Sequence, residues 1–140
     1  MPNWCENTLK VTGKEIELKR FVDAAKTDEL ELSFDKLVPM PKELENTKSP
    51  GDTPNWWDWR IANWGTKWDL SADSTSVTIK RRVAWYSFDT AWGPPTEWLE
   101  KVSVLFPKLK FILRYDEPGL CFKGKTIAEN GVVNDECKNY

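Results

Sequence analysis

The 140-residue sequence predicts an α+β protein in which an antiparallel sheet carries two helices on one face. Three observations predict this class. Apolar and polar residues alternate with period two in several stretches, which is typical of strands with one face in water. Two other stretches space their apolar residues as an amphipathic helix does. Asn130 and Gly131 separate two strand-like stretches near the C-terminus, and this pair is the strongest short hairpin signal in the chain.

The N-terminal part predicts a strand over residues 7–11, a helix over 14–26 and a second strand over 30–38. Period-two alternation indicates both strands, and apolar residues at i, i+3, i+4 and i+7 indicate the helix. Thr12 and Glu15 have the spacing of a capping box, so we expect them to begin the helix.

A tryptophan-rich insertion over residues 39–70 is expected to follow the second strand. Residues 42–54 have turn composition and little to bury, which predicts an exposed loop or lid. A short helix over 56–63 is expected, capped by Asn55 and ended by Gly65. Three apolar residues would share one face of this helix, namely Trp57, Ile61 and Trp64.

The rest of the chain predicts further strands and one more helix. Gly93 and the two prolines after it break the chain and begin this helix, which Pro107 ends. The predicted strands cover 67–70, 76–80, 83–90, 109–115, 120–128 and 132–137. The order of elements is the split βαβ pattern of a ferredoxin-like fold, with an insertion and a C-terminal hairpin. We expect a single such domain over residues 1–140.

Nine tryptophans and no histidine distinguish the composition. Without histidine the chain has no Ser-His-Asp or Cys-His nucleophile, no histidine general base and no histidine-ligated zinc. Its 20 basic and 22 acidic residues give a net charge of −2, which disfavours a nucleic-acid partner without excluding one. We therefore assign no catalytic residues, cofactor or metal from the sequence.

The cysteines and the apolar stretches indicate the compartment. Cys5, Cys121 and Cys137 are odd in number and show no Cys-x-x-Cys spacing, so a disulfide framework is not expected. The N-terminus lacks the pattern of a signal peptide, and no apolar stretch is long enough to span a bilayer. We expect a reduced, cytoplasmic protein that does not bind a membrane. Cys5 is either a nucleophile or a small buried hydrophobe, and the absence of histidine favours the second interpretation.

The candidate binding residues lie in two segments of the chain. Trp4, Trp85 and Trp98 are expected in the core, beside the apolar stripes of strands and a helix. Five of the nine tryptophans lie within 13 residues of the insertion, and one helix face cannot hide them all. They form either an interaction surface or a satellite hydrophobic cluster. The second segment is a strand-to-helix corner, which either binds an anion or is a rigid packed turn; we favour the turn. The candidates are Trp56, Trp57, Trp59, Trp64, Gly65, Thr66, Lys67, Trp68 and Asp69 in the insertion, and Thr90, Trp92, Pro94 and Pro95 at the corner.

Two other sets of charged residues offer alternatives. Asp58, Asp69 and Asp89 would hold a divalent metal if the fold brought them together, which leaves a metal-dependent enzyme open. Basic residues beside aromatic strands form either a nucleic-acid stripe or a solvated face, and the acidic total favours the solvated face. These basic residues are Lys80, Arg81, Arg82, Lys108, Lys110, Arg114, Lys123 and Lys125.

Three motifs resemble those of a family of small proteins from phages and conjugative plasmids, related to the plasmid protein YubB. The motifs are Met-Pro-Asn-Trp-Cys-Glu-Asn at residues 1–7, Trp-Gly-Thr-Lys-Trp-Asp at 64–69 and Thr-Ala-Trp-Gly-Pro-Pro at 90–95. The resemblance implies a ferredoxin-like fold and a bacterial or phage origin. It implies no established activity, and it assigns no catalytic residues.

These observations favour a non-catalytic binding module of a mobile element, which acts on a protein of the bacterial host. In this hypothesis the insertion and the corner form one surface, with tryptophan anchors and with Lys67 and Asp69 for polar specificity. A binder of a small ligand, nucleotide or single-stranded nucleic acid that uses a Trp-lined pocket is the alternative. Oligomeric state does not follow from the sequence.

Overall fold

A computed structural model describes residues 2–140, in which four helices cover one face of a six-stranded antiparallel sheet. The strands are β1 (Trp4–Thr12), β2 (Ser76–Ile79), β3 (Val83–Ala91), β4 (Lys110–Glu117), β5 (Phe122–Glu129) and β6 (Val132–Asn139). The helices are α1 (Glu15–Ala25), α2 (Phe34–Leu37), α3 (Trp56–Trp64) and α4 (Thr96–Leu105). No helix within residues 2–140 is both long enough and apolar enough to cross a membrane.

The strand order along the sheet is β2-β3-β1-β4-β5-β6. The first four of these strands, with α1 between β1 and β2 and α4 between β3 and β4, form a split βαβ pair. The predicted ferredoxin-like α+β fold is therefore confirmed. The hairpin β5–β6 extends the sheet beyond β4, and its turn at Asn130 and Gly131 has φ angles of 47° and 82°, as a tight hairpin turn requires.

The core lies between the sheet and the helices. In β1 the odd-numbered residues from Cys5 to Val11 face the helices, and the even-numbered residues face the open side of the sheet. Phe21 of α1 is at the centre of this core. Its ring lies edge-on to Tyr86 at 6.0 Å, to Phe106 at 5.2 Å and to Phe111 at 5.4 Å between centroids.

The predicted capping box of α1 does not form. Lys14 is the N-cap, and its side chain makes no capping hydrogen bond. Thr12 is instead the last residue of β1, where it is paired with Val83 and Lys110. Because Thr12 belongs to the strand ladder, it does not cap α1.

The predicted strand over residues 30–38 is wrong. Leu32 and Phe34 are buried as the alternation suggested, but Phe34 begins the short helix α2. The Ser33 side chain accepts a hydrogen bond from the Lys36 backbone N–H at 3.2 Å, and such local capping competes with a strand ladder. The second strand of the ferredoxin-like pattern is therefore β2, and the insertion precedes it.

The predicted strand over 67–70 is also absent, because the backbone there turns to place the Asp69 carboxylate at the start of α2. Two large apolar residues near the ends of their elements are half exposed. Ile79 lies at the end of the edge strand β2, and Leu105 lies in the last turn of α4. Neither position has a neighbouring element to cover it fully.

Phe34 offers a test of this packing, because its side chain is enclosed by aromatic rings of other elements. Its ring is fully buried and packs at 4.8 Å from Trp98 and 6.0 Å from Phe88. We expect Phe34→Ala to lower the free energy of unfolding by about 3–5 kcal/mol, measured by urea denaturation. The control Ile16→Ala, at a residue on the outer face of α1, should change it by less than about 0.5 kcal/mol. Equal effects of the two substitutions would contradict this packing.

Candidate binding site

The insertion and the corner, the two segments singled out from the sequence, pack directly against each other. Thr66 is fully buried, and its hydroxyl donates a hydrogen bond to the Ala91 carbonyl oxygen at 3.0 Å. Gly65 ends α3 with a φ of 82°, and a Cβ at this position would lie 3.2 Å from the Pro94 carbonyl oxygen and would overlap the Glu97 carboxylate. A glycine is therefore required for both its backbone conformation and its close approach.

The predicted inner face of α3 is wrong in part. Trp64 is fully buried, and its indole N–H donates to the Val38 carbonyl oxygen at 2.9 Å. Trp57 and Ile61, which were expected beside it, are exposed, whereas Trp56 and Trp59 pack against the core. Trp64 is seven residues after Trp57 and eight after Trp56, so it belongs to either of two helical stripes. Periodicity alone could not distinguish them.

Arg60 packs between two tryptophans of α3 and also bonds to the loop that follows the helix. Its guanidinium carbon lies 5.2 Å from the ring centroid of Trp56 and 5.0 Å from that of Trp64. Its Nη1 donates to the Lys67 carbonyl oxygen at 3.1 Å. Sequence analysis did not single out Arg60, although its spacing of four residues from each tryptophan is the signal for such contacts on a helix.

Asp69 has a structural part in this arrangement. Its carboxylate accepts hydrogen bonds from the Ser33 hydroxyl at 2.7 Å, from the backbone N–H of Phe34 at 2.7 Å and from that of Asp35 at 3.1 Å. It also accepts from the backbone N–H of Leu70 at 2.8 Å. The carboxylate is therefore occupied by donors of its own chain.

The corner is rigid and its polar groups are satisfied internally. The buried Thr90 hydroxyl donates to the Gly93 carbonyl oxygen at 2.6 Å and accepts from the Asn7 side-chain amide at 2.9 Å. Trp92 has a φ of 69°, and its backbone N–H donates to the Asn3 carbonyl oxygen at 2.8 Å. Pro95 is the N-cap of α4 and supplies no N–H to an anion. These contacts agree with the interpretation of the corner as a packed turn.

Three exposed tryptophans remain at this end of the sheet, namely Trp4 (43% exposed), Trp68 (39%) and Trp92 (45%). The rings of Trp4 and Trp68 lie 6.0 Å apart, and the Lys67 ammonium lies 4.3 Å from the Trp68 ring centroid. Trp4 pairs in register with Ala91, so the backbone of Trp92 starts beside it. We call Trp4, Trp68 and Trp92 the tryptophan end of the sheet.

Sequence analysis placed Trp4 and Trp85 in the core, and the structure corrects this, because both lie on the open side of the sheet, where Trp85 is half-buried. The core positions of β1 are odd-numbered, so Trp4 faces the open side of the sheet. Leu9 and Val11 already carried this signal, because period two extrapolated back from them leaves position 4 outside. The N-terminal motif therefore contributes Trp4 to the exposed surface and Cys5 to the core.

A small cavity of about 190 Å³ adjoins the tryptophan end and is lined by Trp4, Asp69, Ser71, Ser74 and Asp89. Burial raises the pKa of Asp89, because partial desolvation disfavours its charged form. Asp89 is opposite Glu6 in the register, and Glu6 is opposite Asp116 on its other side. Three carboxylates thus form a row across the open face, an arrangement that destabilises adjacent strands. We call Asp89, Glu6 and Asp116 the acidic row.

The three aspartates proposed for metal binding do not assemble. Asp69 and Asp89 line the same cavity, but Asp58 lies on α3, where it accepts a hydrogen bond from the Asn55 side chain at 3.0 Å and lines a different depression beside Trp57. Within residues 2–140, no group of three His, Cys, Asp or Glu residues is placed to hold a metal ion. The condition for that metal site, that the fold brings Asp58 to the other two aspartates, is therefore not met.

Comparisons with known proteins agree with this fold. A crystal structure of the protein Api92 from Yersinia pseudotuberculosis superposes with a TM-score of 0.79, over 100% of this chain and 98% of that one, at 10% sequence identity. At that identity the likeness shows the fold alone. No curated protein sequence matches the chain. The family model for the ferredoxin-like domain in Api92-like proteins matches residues 63–139. This match begins at the end of α3 and extends through β6, and the chain therefore belongs to the family of Api92-like proteins.

Proposed function

We propose that this chain is a non-catalytic binding module and that the tryptophan end of the sheet contacts a protein partner. The observation that carries the proposal is the exposure of Trp4, Trp68 and Trp92 on a scaffold that is itself fully packed. Tryptophan is enriched at the energetic centres of protein interfaces, because it buries a large area and supplies one N–H donor.

Preorganisation supports the same conclusion. Thr66 and Gly65 hold the insertion against the corner. Asp69, the residue after Trp68, is anchored by its hydrogen bond from the Phe34 backbone N–H. The Trp4–Trp68 contact further restricts both rings. A partner would therefore meet side chains that have already lost much of their freedom, which lowers the entropy cost of binding.

Charge indicates the chemistry of the partner. The indole of Trp4 and the carboxylate of Asp89 line one cavity, and Glu6 extends the acidic row beside it. A Lys or Arg side chain of the binding protein would contact the face of the Trp4 ring and form an ion pair with the partly desolvated Asp89 carboxylate. The same carboxylates repel phosphate groups, so this end of the sheet suits a basic protein segment better than a nucleic acid.

The proposed biological setting is a mobile genetic element. The motifs that build the tryptophan end are those that resemble the YubB-related family of phages and conjugative plasmids. We place the chain among accessory proteins of mobile elements, and we assign its partner to the cytoplasm of the bacterial host. The cavity of about 190 Å³ is smaller than the roughly 300–1,000 Å³ of small-ligand sites, which favours a side chain over a nucleotide as its occupant.

The proposal predicts that one exposed tryptophan matters and another does not. Trp68→Ala should weaken binding to a purified partner by about 2–4 kcal/mol, because it removes an anchor and the contact that orients Trp4. Trp57→Ala is a matched control, because Trp57 is 40% exposed but lies on the outer face of α3.

The measurement has two steps. Affinity capture from a bacterial lysate, followed by mass spectrometry, identifies proteins retained by the wild type, and calorimetry with the purified partner then gives each affinity. Trp57→Ala should match the wild type in both steps. A partner that binds Trp68→Ala as tightly as the wild type would rule out the tryptophan end as its contact surface.

Cys5 provides a separate test of the non-catalytic assignment. It is fully buried, and burial raises the pKa of its thiol to about 12. The thiolate is the reactive form, so at pH 8 almost none of the Cys5 population is reactive. Cys121 and Cys137 are exposed. In a disulfide-exchange titration of the native protein, we expect Cys121 and Cys137 to react quickly and Cys5 to react only after denaturation. Rapid modification of Cys5 in the folded protein would reopen its interpretation as a nucleophile.

A further inference from the structure

A second surface on the open face of the sheet has the opposite charge. A cleft of about 470 Å³ lies over β4, β5 and β6. Its lining residues are Arg114, Tyr115, Lys123, Gly124, Lys125, Glu136, Cys137 and Lys138. Four of the eight are cations and one is a carboxylate. We call this surface the basic cleft.

The cations of the basic cleft face one another across the strands. Arg114 is opposite Lys125 in the register, and Lys123 is opposite Lys138. Side chains in such positions have Cβ atoms about 5 Å apart, and like charges there destabilise the pairing. The fold therefore keeps two repulsive pairs that a bound anion would relieve.

Two carboxylates partly compensate these charges, since Glu136 is opposite Lys125 and Asp116 is opposite Lys123 in the register. Every ion pair in the described part of the chain involves a residue of α1 or its immediate C-terminal neighbour, and none includes a cation of the basic cleft. Asp116 is opposite Lys123, but its carboxylate accepts a hydrogen bond from the Tyr140 hydroxyl. The Lys123 ammonium instead lies 5.1 Å from the ring centroid of Tyr140.

The same face also offers an aromatic ring. Trp85 on β3 is half-buried, with Lys10 opposite it on β1 and the Lys80 ammonium 6.0 Å from its ring centroid. Ile112 and Ile127, which pair with each other, continue this row toward β5. Since adjacent strands are about 4.8 Å apart, Trp85 lies about 14 Å from β5 across the sheet.

We infer that Trp85 and the basic cleft form a binding platform for single-stranded nucleic acid. Such platforms combine a basic groove for the phosphates with an aromatic ring on which a base stacks, and both are present here. A single strand fits better than a duplex, because one ring on a sheet face contacts a base only when that base is unpaired. The acidic row meets the basic cleft at the Asp116–Lys123 pair and repels phosphates there, so the path for the strand runs from Trp85 over Ile112 to Arg114 and Lys125.

The test measures fluorescence anisotropy of a labelled oligothymidine of about 12 nucleotides at about 50 mM salt. The variant Arg114→Glu/Lys125→Glu replaces the two cations of one cross-strand pair of the basic cleft with carboxylates. We expect it to bind at least about tenfold more weakly than the wild type and to flatten the slope of log K against log salt by about 1.4, for two phosphate contacts. The matched control is Lys19→Glu/Lys101→Glu, which makes the same change in net charge on α1 and α4, on the opposite side of the sheet.

Each outcome decides the proposal. Binding by the wild type and the control, with loss in the cleft variant, supports it. Equal loss in both variants would show a response to net charge alone and would overturn it, as would no binding by the wild type. Inorganic phosphate should compete no better than chloride at the same ionic strength, and full displacement by phosphate would assign the basic cleft to a single anion.

Trp85 gives an independent measurement that does not depend on charge. Trp85→Phe should retain oligothymidine binding, and Trp85→Ala should weaken it about tenfold through loss of stacking. Circular dichroism of both variants confirms the fold before titration. Equal affinities of Trp85→Ala and the wild type would remove the stacking component and overturn the platform.

Discussion

The Asp69 carboxylate is the constraint on which the rest of the insertion depends. It accepts hydrogen bonds from Ser33, Phe34 and Asp35, so it joins the two ends of the segment between α1 and β2. This bond set begins α2 and directs the Phe34 ring to Trp64 and Trp98. The same hydrogen bonds fix the position of Asp69 and therefore of Trp68, the residue before it, at the edge of the open face. One aspartate therefore links the closure of a long loop to the core and to the exposed tryptophan pair.

The sequence predicted the fold where local signals agreed with the tertiary structure. Period-two alternation identified β1 and β4, and the Asn130-Gly131 turn identified the hairpin β5–β6. It failed at residues 30–38, where burial of Leu32 and Phe34 produces the same alternation without a ladder. Two contacts favour the helix there: the local Ser33 cap, and a hydrogen bond from the Phe34 backbone N–H to Asp69, 35 positions away. No local pattern contains the second contact.

The candidate site shows a similar division. The segments around Gly65 and Pro94, which the sequence named as candidates, pack on each other. Most of the residues named there hold the surface in place, and Thr66 and Trp64 are fully buried. A tryptophan count cannot distinguish an anchor of the scaffold from an anchor for a partner, because both uses exploit the same large side chain. Trp4 was predicted in the core because it adjoins a strand, although the parity of Leu9 and Val11 leaves position 4 on the opposite face.

Net charge was a poor guide to the open face because the sheet separates the charges by strand. A total of −2 averages over the acidic row on β3, β1 and β4 and the basic cleft on β4, β5 and β6. Cross-strand neighbours are contributed by distant parts of the chain, so the like-charge pairs are invisible in the sequence. The ladder tolerates these pairs because its backbone hydrogen bonds stabilise it independently. These like-charge pairs distinguish the acidic row and the basic cleft from the rest of the open face. The two surfaces have no residue in common, so each can be altered by mutation without changing the other.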